Sequence, residues 1–260
     1  MLDKITPVVL TLNEAPNIAR TLGMLQWANE VVIVDSGSTD GTLEAARAFP
    51  NVRVWTRPFD SHARQWNAAV GDPHIKTEWV LALDADYMVT APLMAELAAL
   101  RPAEEVSGYR ARFEFAIGGR VLRGSLYPAH IVLFRQGRGH YVQDGHTQRL
   151  VLDGPIEELT VPIIHDDRKP MSRWLASQRD YARQEAKRLR SLGWSEAGTR
   201  DRVRKMLIVA PWAVPAYALF GQGVALDGWS GLRYAAQRAL AEVFIARALV
   251  RSHVGRGSTG

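Results

Sequence analysis

Short apolar runs alternate with helix-like segments along the first ninety residues. Four runs rich in Val, Ile and Leu are predicted to be buried strands, at residues 5–12, 30–35, 52–56 and 78–83. Helices are predicted between them, at residues 17–27, 41–49 and 62–71. Continuously apolar strands that alternate with helices favour an α/β fold with a mostly parallel central sheet and helices on both faces.

The pattern changes twice further along the chain. After a predicted helix at 91–100, residues 106–165 contain shorter strand-like pieces separated by Gly, Pro and Asp, at 108–115, 120–123, 130–135, 148–152 and 159–164. Beyond them we predict helices at 172–192, capped by Ser172, and at 229–250, on either side of an uncharged run at 206–226. We therefore expect a domain over 1–167, with halves 1–90 and 91–167, and a helical region over 168–260.

Two aspartates directly follow the fourth predicted strand. If the chain stays extended through Asp84-Ala85-Asp86, alternation places both carboxylates on the same side. Paired carboxylates suit Mg²⁺ or Mn²⁺, which bind through one or two carboxylates together with substrate phosphates. The competing interpretation is a surface turn that happens to hold two acids. The position at the carboxyl end of an apolar strand favours a ligand site, because open parallel sheets bind ligands at that edge.

Two further loops are predicted to reach the same edge of the sheet. Asp35 ends the second strand and is followed by Ser36 and a Gly-, Ser- and Thr-rich loop. The Asp35 carboxylate can accept hydrogen bonds from a base or a ribose, and the loop can bring backbone N–H groups to a ligand. Asn13 and Glu14 follow the first strand. The alternative for the loop after Asp35 is that it only caps the next helix, and the alternative for Asn13 and Glu14 is a plain strand-to-helix turn.

In this order and spacing, these segments resemble the family 2 glycosyltransferases of the GT-A fold. The matching segments are VLTLNE at 9–14, VVIVDSGSTDGT at 31–42 and LALDAD at 81–86. Within the family the chain looks most like the lipopolysaccharide-core glucosyltransferase-type branch. That closer likeness rests on His165 and on RQWNAA at 64–69, VLFR at 132–135 and ALDGWSGL at 225–232.

The resemblance implies a nucleotide diphosphate sugar as donor. Asp35 would hold the base, Asp84 would lie near the ribose or the sugar, and Asp86 would ligate Mg²⁺ or Mn²⁺. His165 would bind the metal or the diphosphate, although a buried core histidine is an equal alternative. The remaining candidates for the donor site are Asn13, Glu14, Ser36, Arg64, Gln65 and Asn67. For Arg64 the alternative is a solvated helix face.

The chain departs from the branch at two positions. Tyr87 stands where the branch has a glutamate after the two aspartates, and Thr147-Gln148 aligns with its usual His-Glu pair. Glutamine cannot accept a proton as a general base. We therefore predict Asp144 as the base, with His146 as the second candidate. The alternative is that these are turn residues and that the protein is slow or inactive.

The charge distribution separates the two predicted regions. Residues 168–260 carry 17 basic and 6 acidic side chains, a net charge of +11, whereas residues 1–167 carry 15 and 21, a net charge of −6. A basic region that also contains an uncharged 21-residue run suits an anionic membrane surface rather than nucleic acid. Its Pro and Gly residues favour interfacial or re-entrant helices over a transmembrane span, and a buried core helix is the alternative.

Taken together, the sequence predicts an inverting, metal-dependent glycosyltransferase. It would transfer a sugar to a cell-envelope glycan or lipid-linked acceptor. We expect it at the cytoplasmic face of the inner membrane, bound peripherally or monotopically, because no secretory leader is evident at the N-terminus. Two alternatives stay open: a polyprenyl-phosphate sugar synthase, and a non-catalytic, nucleotide-binding membrane scaffold. The absence of cysteine excludes disulfides, zinc–thiolate sites and a cysteine nucleophile.

Overall fold

A computed structural model describes residues 1–144 and 147–254, with side chains to residue 251. It separates into two compact units. The N-terminal unit comprises Met1–Gly119 and Tyr127–Arg168, and the C-terminal unit comprises Arg120–Leu126 and the chain from Lys169 onwards. A short excursion at 120–126 therefore belongs with the C-terminal helices.

Thirteen strands are described, with these bounds: β1 Ile5–Thr11, β2 Val31–Asp35, β3 Val52–Thr56, β4 Trp79–Asp84, β5 Tyr87–Met88, β6 Gly108–Ala111, β7 Phe113–Ile117, β8 Arg120–Val121, β9 His130–Arg135, β10 Gly139–Asp144, β11 Thr147–Leu152, β12 Ile156–Glu158 and β13 Ile163–His165. The helices of the N-terminal unit are α1 Ile18–Gly23, α2 Thr42–Arg47, α3 His62–Val70 and α4 Ala91–Ala99. Each of the four strands predicted from the first apolar runs is present.

Seven of these strands form the central sheet, in the order β12-β6-β9-β4-β1-β2-β3. The pairs β1–β2, β1–β4, β2–β3 and β12–β6 are parallel, and β9 is antiparallel to both of its neighbours. The sheet is therefore mixed but mostly parallel, as predicted. Among the smaller strands, β13 pairs with β5 and β7, and β10 pairs with β11.

Alternate side chains of the central strands pack into two separate cores. Val9, Ile33 and Leu81 face the core that also contains side chains of α1, α2 and α4. Val8 and Val34 face the other core, which contains side chains of α3 and of the β10–β11 hairpin. Strands buried on both faces explain why these runs are continuously apolar. The prediction of helices on both faces is confirmed.

The C-terminal unit is helical. It contains α5 Met171–Ser191, α6 Thr199–Lys205, α7 Ala210–Ala216, a π-helical turn Tyr217–Gly221, a 3₁₀ turn Val224–Asp227 and α8 Trp229–Val254. Helix α5 is capped by Pro170 and not by the side chain of Ser172, so that part of the prediction is wrong. In the described part of the chain no helix is both long and apolar enough to cross a membrane.

A buried ionic network lies in the interior of the C-terminal unit. Arg204 donates hydrogen bonds to Glu242 on α8, at 2.6–3.1 Å, and to Glu185 on α5, at 2.9 Å. Arg188 joins Glu185 to Asp201 on α6. The side chains of Glu185 and Glu242 are only 5% and 4% exposed. The network therefore ties three helices together through paired, buried charges.

Candidate active site

The carboxyl edge of the parallel strands gathers most of the predicted donor-site residues. Asp84 on β4 pairs in register with Leu10 on β1, and Asp35 on β2 pairs with Thr11. One strand therefore separates the two aspartates, which places their backbones roughly 10 Å apart. Asn13, Glu14 and Ser36 follow directly from these strand ends. The predicted clustering of these residues at one edge is present in the structure.

The Asp35 carboxylate is fully buried and holds its own loop in place. One oxygen accepts hydrogen bonds from the backbone N–H groups of Gly37 and Ser38, at 2.8 and 2.7 Å. The other accepts from the hydroxyls of Thr11 and Ser38. Four donors thus surround the carboxylate and fix the 36–38 turn, in which Gly37 takes a φ of +100°. A role for Asp35 in holding a base stays a prediction.

The loop after β1 is joined to the loop after β2. Asn13 has a φ of +56°, a left-handed conformation that asparagine tolerates better than most residues. Its backbone N–H donates to Ser38 Oγ at 2.6 Å, and its side-chain oxygen accepts from the Thr39 N–H at 2.7 Å. The Glu14 N–H donates to Thr42 Oγ1 at 2.6 Å. Asn13 and Glu14 therefore hold the loops at the edge of the site together, through their backbone N–H groups and the Asn13 side chain.

The segment that contains the second aspartate is a turn rather than an extended strand. Strand β4 ends at Asp84, and Ala85 and Asp86 form the turn into β5. The prediction of an extended segment through Asp84-Ala85-Asp86 is therefore wrong, because a two-residue turn separates β4 from β5. Asp84 is half-buried, whereas Asp86 is 7% exposed.

Strand register brings His165 to Asp86. Strand β13 pairs with β5 so that His165 lies opposite Tyr87, and it pairs with β7 so that His165 lies opposite Phe115. His165 Nε2 then lies 3.2 Å from Asp86 Oδ2. The imidazole packs edge-on against the rings of Tyr87, Phe115 and Tyr127, with centroids 4.8–5.4 Å away. These two predicted metal residues, 79 positions apart, are therefore direct neighbours.

Neighbouring carboxylates raise the pKa of the His165 imidazole. Burial by itself lowers the pKa of His165, but the charge and the hydrogen bond of Asp86 raise it, with smaller contributions from Asp84 and Asp167. The net pKa is raised above the ordinary histidine value. Asp84, Asp86 and His165 therefore form one electrostatic cluster, even though Asp84 and Asp86 come from a strand end and a turn.

The donor atoms of this cluster fit a divalent cation. Asp86 offers a carboxylate oxygen, which Mg²⁺ and Mn²⁺ prefer, and His165 offers an imidazole nitrogen beside it. The other ring nitrogen of His165, Nδ1, is buried without a hydrogen-bond partner. Within the described residues no group of three or more His, Cys, Asp or Glu side chains is placed to share a metal.

Two of the three candidates on α3 make internal contacts. Gln65 is 1% exposed, and its Nε2 donates to Ser36 Oγ at 3.1 Å, so this hydrogen bond joins α3 to the loop that follows Asp35. Asn67 donates to the Tyr141 carbonyl at 2.8 Å and accepts from the Tyr141 N–H at 2.7 Å. Arg64 is 76% exposed and lies 3.7 Å from Asp60.

The predicted base lies on a hairpin that packs against α3. Asp144 is the last residue of β10, pairs with Thr147 and is exposed. Stacking of Tyr141 on Trp66, with centroids 5.3 Å apart, anchors the same strand. Burial and the nearby charge of Asp84 raise the pKa of Tyr141. His146, the second candidate, lies outside the described residues. The charge of Asp84 therefore acts on Tyr141 of this hairpin, and the choice of base stays a prediction.

A polar network beside the site was missed by the sequence analysis. The fully buried Asn17 donates to Glu14 at 2.9 Å and to Asp167 at 3.0 Å, and it accepts from Arg20 and from the Arg168 N–H. Its side chain makes no cap hydrogen bond to α1, although the residue does precede that helix. The signal in the sequence was the charged Asp-Asp-Arg run that follows His165.

Arg20 completes this network from α1. Its guanidinium donates to the Asp166 carboxylate and to the Asp166 carbonyl, each at 2.8 Å. The Asp166 N–H in turn donates to the Asp86 carbonyl at 3.0 Å. The loop after β1, helix α1 and the segment after β13 are thereby fixed around the Asp86–His165 pair.

Comparison with known proteins shows which family the N-terminal part of the chain matches. Residues 7–124 match the family model "Glycosyl transferase family 2". The chain is 27% identical over 213 residues to the lipopolysaccharide core biosynthesis glycosyltransferase LpsC of Rhizobium meliloti, a match that covers 78% of this chain and 76% of LpsC. It is 33% identical over 95 residues to an uncharacterized glycosyltransferase of Rickettsia bellii, which covers 36% of this chain and 31% of that protein.

Two solved structures are among those to which this chain is similar. The TarS 1–349 fragment of S. aureus in complex with UDP-GlcNAc has a TM-score of 0.46 and 18% identity over 97% of this chain and 92% of that one. Glucosyl-3-phosphoglycerate synthase from Mycobacterium tuberculosis, with Mn²⁺ and UDP, has a TM-score of 0.34 and 21% identity over 45% of each chain.

Residues 7–124 therefore form a glycosyl transferase family 2 domain, as the motifs predicted, and the mixed sheet with helices on both faces agrees with the GT-A fold expected from them. Among its relatives is a lipopolysaccharide core glycosyltransferase. The family match ends inside the 120–126 excursion, so the segment after β13 and the whole helical region lie beyond it.

Proposed function

We propose that this protein transfers a hexose, with inversion, from a nucleotide diphosphate sugar to a cell-envelope glycan or lipid-linked acceptor, in a reaction that depends on Mg²⁺ or Mn²⁺. The observation that carries the proposal is the Asp86–His165 contact beside Asp84 at the carboxyl edge of a family 2 domain. The similarity to LpsC supports an acceptor of the lipopolysaccharide core type.

In this proposal each residue of the cluster has a separate task. Asp86 and His165 hold the cation, which when bound neutralises the charge that develops on the departing diphosphate. Asp84 orients the ribose or the sugar. The rigid loops at Asn13 and Ser36 supply hydrogen-bonding groups along the nucleotide, because both loops are fixed by internal hydrogen bonds.

Asp144 takes the proton of the acceptor hydroxyl. The acceptor oxygen attacks the anomeric carbon from the face opposite the diphosphate and forms the new glycosidic bond. The bond from the anomeric carbon to the diphosphate oxygen breaks, and the nucleoside diphosphate leaves with the electron pair. A carboxylate suits the base because it must bind a proton and then release it to water.

One sequence feature favours a second acceptor. Gln148 stands where the related branch has its expected base, and a polyprenyl phosphate acceptor needs no strong base because its oxygen is already ionised. An Asp144→Asn variant with full transfer activity would favour that acceptor over a hydroxyl. A large loss of activity in the same variant would favour the hydroxyl.

The test begins with thermal unfolding in the presence of nucleoside diphosphates, each with and without Mn²⁺. A ligand that binds only the folded state stabilises it, by about 2.7 kcal/mol at a concentration a hundredfold above Kd. We expect one nucleotide to stabilise the protein and to require the metal for this effect. Asp86→Asn should abolish the metal-dependent stabilisation by the nucleotide and lower transfer on the order of a hundredfold.

Asp153→Asn is the matched control, because Asp153 is an exposed aspartate at the far end of the β10–β11 hairpin from Asp144. It should behave like the unmodified protein. Nucleotide binding without turnover of any donor would contradict the proposed transfer and indicate a non-catalytic scaffold. Metal-independent binding that is unchanged in Asp86→Asn would contradict the metal site alone.

A further inference from the structure

The exposed face of the helix after α6 is entirely apolar. Between Val209, which caps α7, and the end of the π-helical turn, the exposed positions recur every three or four residues, which is the period of one helix face. We call this set the apolar stripe: Val209, Trp212, Ala213, Ala216, Tyr217, Phe220 and Gly221. A surface helix in water shows the opposite pattern, with polar side chains outward.

The stripe contains some of the most exposed large apolar side chains among the described residues. Trp212 is 80% exposed and Phe220 is 79% exposed. Ile208 precedes the stripe at 79%, and Leu226 and Trp229 follow it at 72% and 80%. Single exposed apolar side chains are ordinary, but a run of this size marks a surface that binds something apolar.

The charges near the stripe have one sign. From residue 199 to residue 251 every charged side chain in the exposed class is an arginine: Arg200, Arg202, Arg233, Arg247 and Arg251. The acids of the same stretch are covered. Asp227 and Glu242 are buried, and Asp201 is partly buried against Arg188. The partner must therefore be apolar where it meets the stripe and negatively charged around it.

An open groove beside Ile208 combines the same two properties. It has a volume of about 460 Å³ and is lined by Leu207, Ile208, Ala246 and Val250 together with Arg247 and Arg251. Apolar walls and two guanidinium groups suit an acyl chain that carries a phosphate at one end.

A second copy of this chain fits the stripe less well than a lipid surface. In a symmetric dimer the same patch meets itself, so the flanking arginines would approach one another without exposed acids to pair with them. An anionic bilayer meets both requirements, because its acyl region accepts the aromatic side chains and its headgroups attract arginine.

We propose that the apolar stripe and its flanking arginines seat this protein on an anionic membrane surface, with residues 206–232 in the headgroup region rather than across the bilayer. The proposal goes beyond the transfer reaction and does not depend on it. It gives a structural basis to the membrane location that the sequence predicts, since a protein bound in this way would be monotopic.

The experiment measures flotation of the full-length protein with phosphatidylcholine vesicles, with and without phosphatidylglycerol. We expect binding that requires phosphatidylglycerol and weakens at high salt. Trp212→Ser and Phe220→Ser should each lower the partition coefficient about tenfold, because each removes a large apolar group from the contact. Trp194→Ser, at an exposed tryptophan outside the stripe, is the matched control and should bind normally.

A second measurement separates membrane contact from aggregation or misfolding. Brominated acyl chains quench tryptophan that enters the acyl boundary, and the Trp212→Phe/Trp229→Phe variant should still bind while losing most of this quenching. Equal binding of Trp212→Ser/Phe220→Ser and the unmodified protein would overturn the proposal. So would a dimer that this double variant dissociates while its vesicle binding stays unchanged, because a second copy would then cover the stripe.

Discussion

The two units of this protein place polar and apolar side chains in opposite ways. In the N-terminal unit, apolar side chains fill two cores on either side of a sheet, and polar groups gather at one sheet edge. In the C-terminal unit, Glu185 and Glu242 are buried around Arg204, while Trp212 and Phe220 point outward. The first arrangement is typical of a protein in water. The second is what we expect of a unit whose exposed apolar face binds a membrane surface, as proposed above.

This contrast also separates two uses of charge. Carboxylates at the N-terminal edge hold loops in a shape that a ligand can meet, so their loss should affect binding more than folding. Carboxylates inside the C-terminal unit hold helices together, so their loss should affect folding first. The following predictions test that difference, beginning with the largest effect.

Arg204→Ala should destabilise the protein by about 3–5 kcal/mol, because it leaves the buried Glu242 without its ion-pair partner and removes one of the two arginines that pair with the buried Glu185. Burial alone would lower the pKa of Arg204. The hydrogen bonds and charges of Glu242 and Glu185 raise it by more than burial lowers it, so the net pKa is raised and the side chain is charged in the folded protein. Denaturant unfolding measures the change. Arg202→Ala, two residues away and exposed, should change stability by less than about 0.5 kcal/mol. Equal effects of the two variants would show that the network does not stabilise the fold.

Asp35→Ala should cost about 2–3 kcal/mol, because it leaves the backbone N–H groups of Gly37 and Ser38 without their acceptor. Asp35→Asn should cost about 1 kcal/mol or less, because its amide oxygen can face those N–H groups while its NH₂ faces two hydroxyls that can rotate to accept.

The same pair of variants separates loop support from ligand recognition. If the Asp35 charge itself recognises the nucleotide, Asp35→Asn should lose as much affinity for the nucleotide as Asp35→Ala does. Titration of nucleotide binding, beside the unfolding measurement, checks this. Near-normal binding by Asp35→Asn would assign the residue to shaping the loop alone.

Glu96→Gln should have the smallest effect, about 1 kcal/mol at neutral pH. Glu96 on α4 accepts hydrogen bonds from Thr160, at its N–H and hydroxyl, and from the Val161 N–H, at 2.7–2.9 Å. Burial alone would raise the pKa of Glu96. These hydrogen bonds lower it by more than burial raises it, so the net pKa is lowered.

Its contribution should therefore depend on pH in one direction. The stabilisation is complete above the unfolded-state pKa of glutamate, about 4.3, and is lost as the pH falls through the lower folded-state value. The stability difference between the unmodified protein and Glu96→Gln should shrink over that range. A constant difference would contradict this. Glu104→Gln, at an exposed glutamate, is the matched control and should leave the stability at neutral pH unchanged.

Local patterns were sufficient for much of the N-terminal unit. Apolar runs predicted β1 to β4, and residue order alone placed Asp35 and Asp84 at one edge, because parallel strands end on the same side. The same reasoning failed at Asp86, where a two-residue turn interrupts an apparently extended segment. It also missed β10, whose residues 139–144 have no apolar alternation strong enough to predict a strand.

Contacts between segments that are distant in the chain could not be predicted from local sequence patterns. The Asn17–Asp167 hydrogen bond joins residues 150 positions apart. Asp167 follows β13, and no local signal in the sequence sets the register of that strand. The exposed stripe was hidden for a different reason. Residues 206–226 are apolar at almost every position, so the sequence cannot show which of them face outward.

The 120–126 excursion has a consequence for how such enzymes can be recombined. The Arg123 N–H donates to Asp227 at 2.9 Å, and the Leu126 N–H donates to the Tyr234 hydroxyl at 2.8 Å. A chimera joined only at residue 168 would bring a foreign helical region to a segment that has lost its two anchors. A working graft therefore needs three crossover points, one before residue 120, one after residue 126 and one after residue 168, and natural exchange of such regions among relatives faces the same requirement.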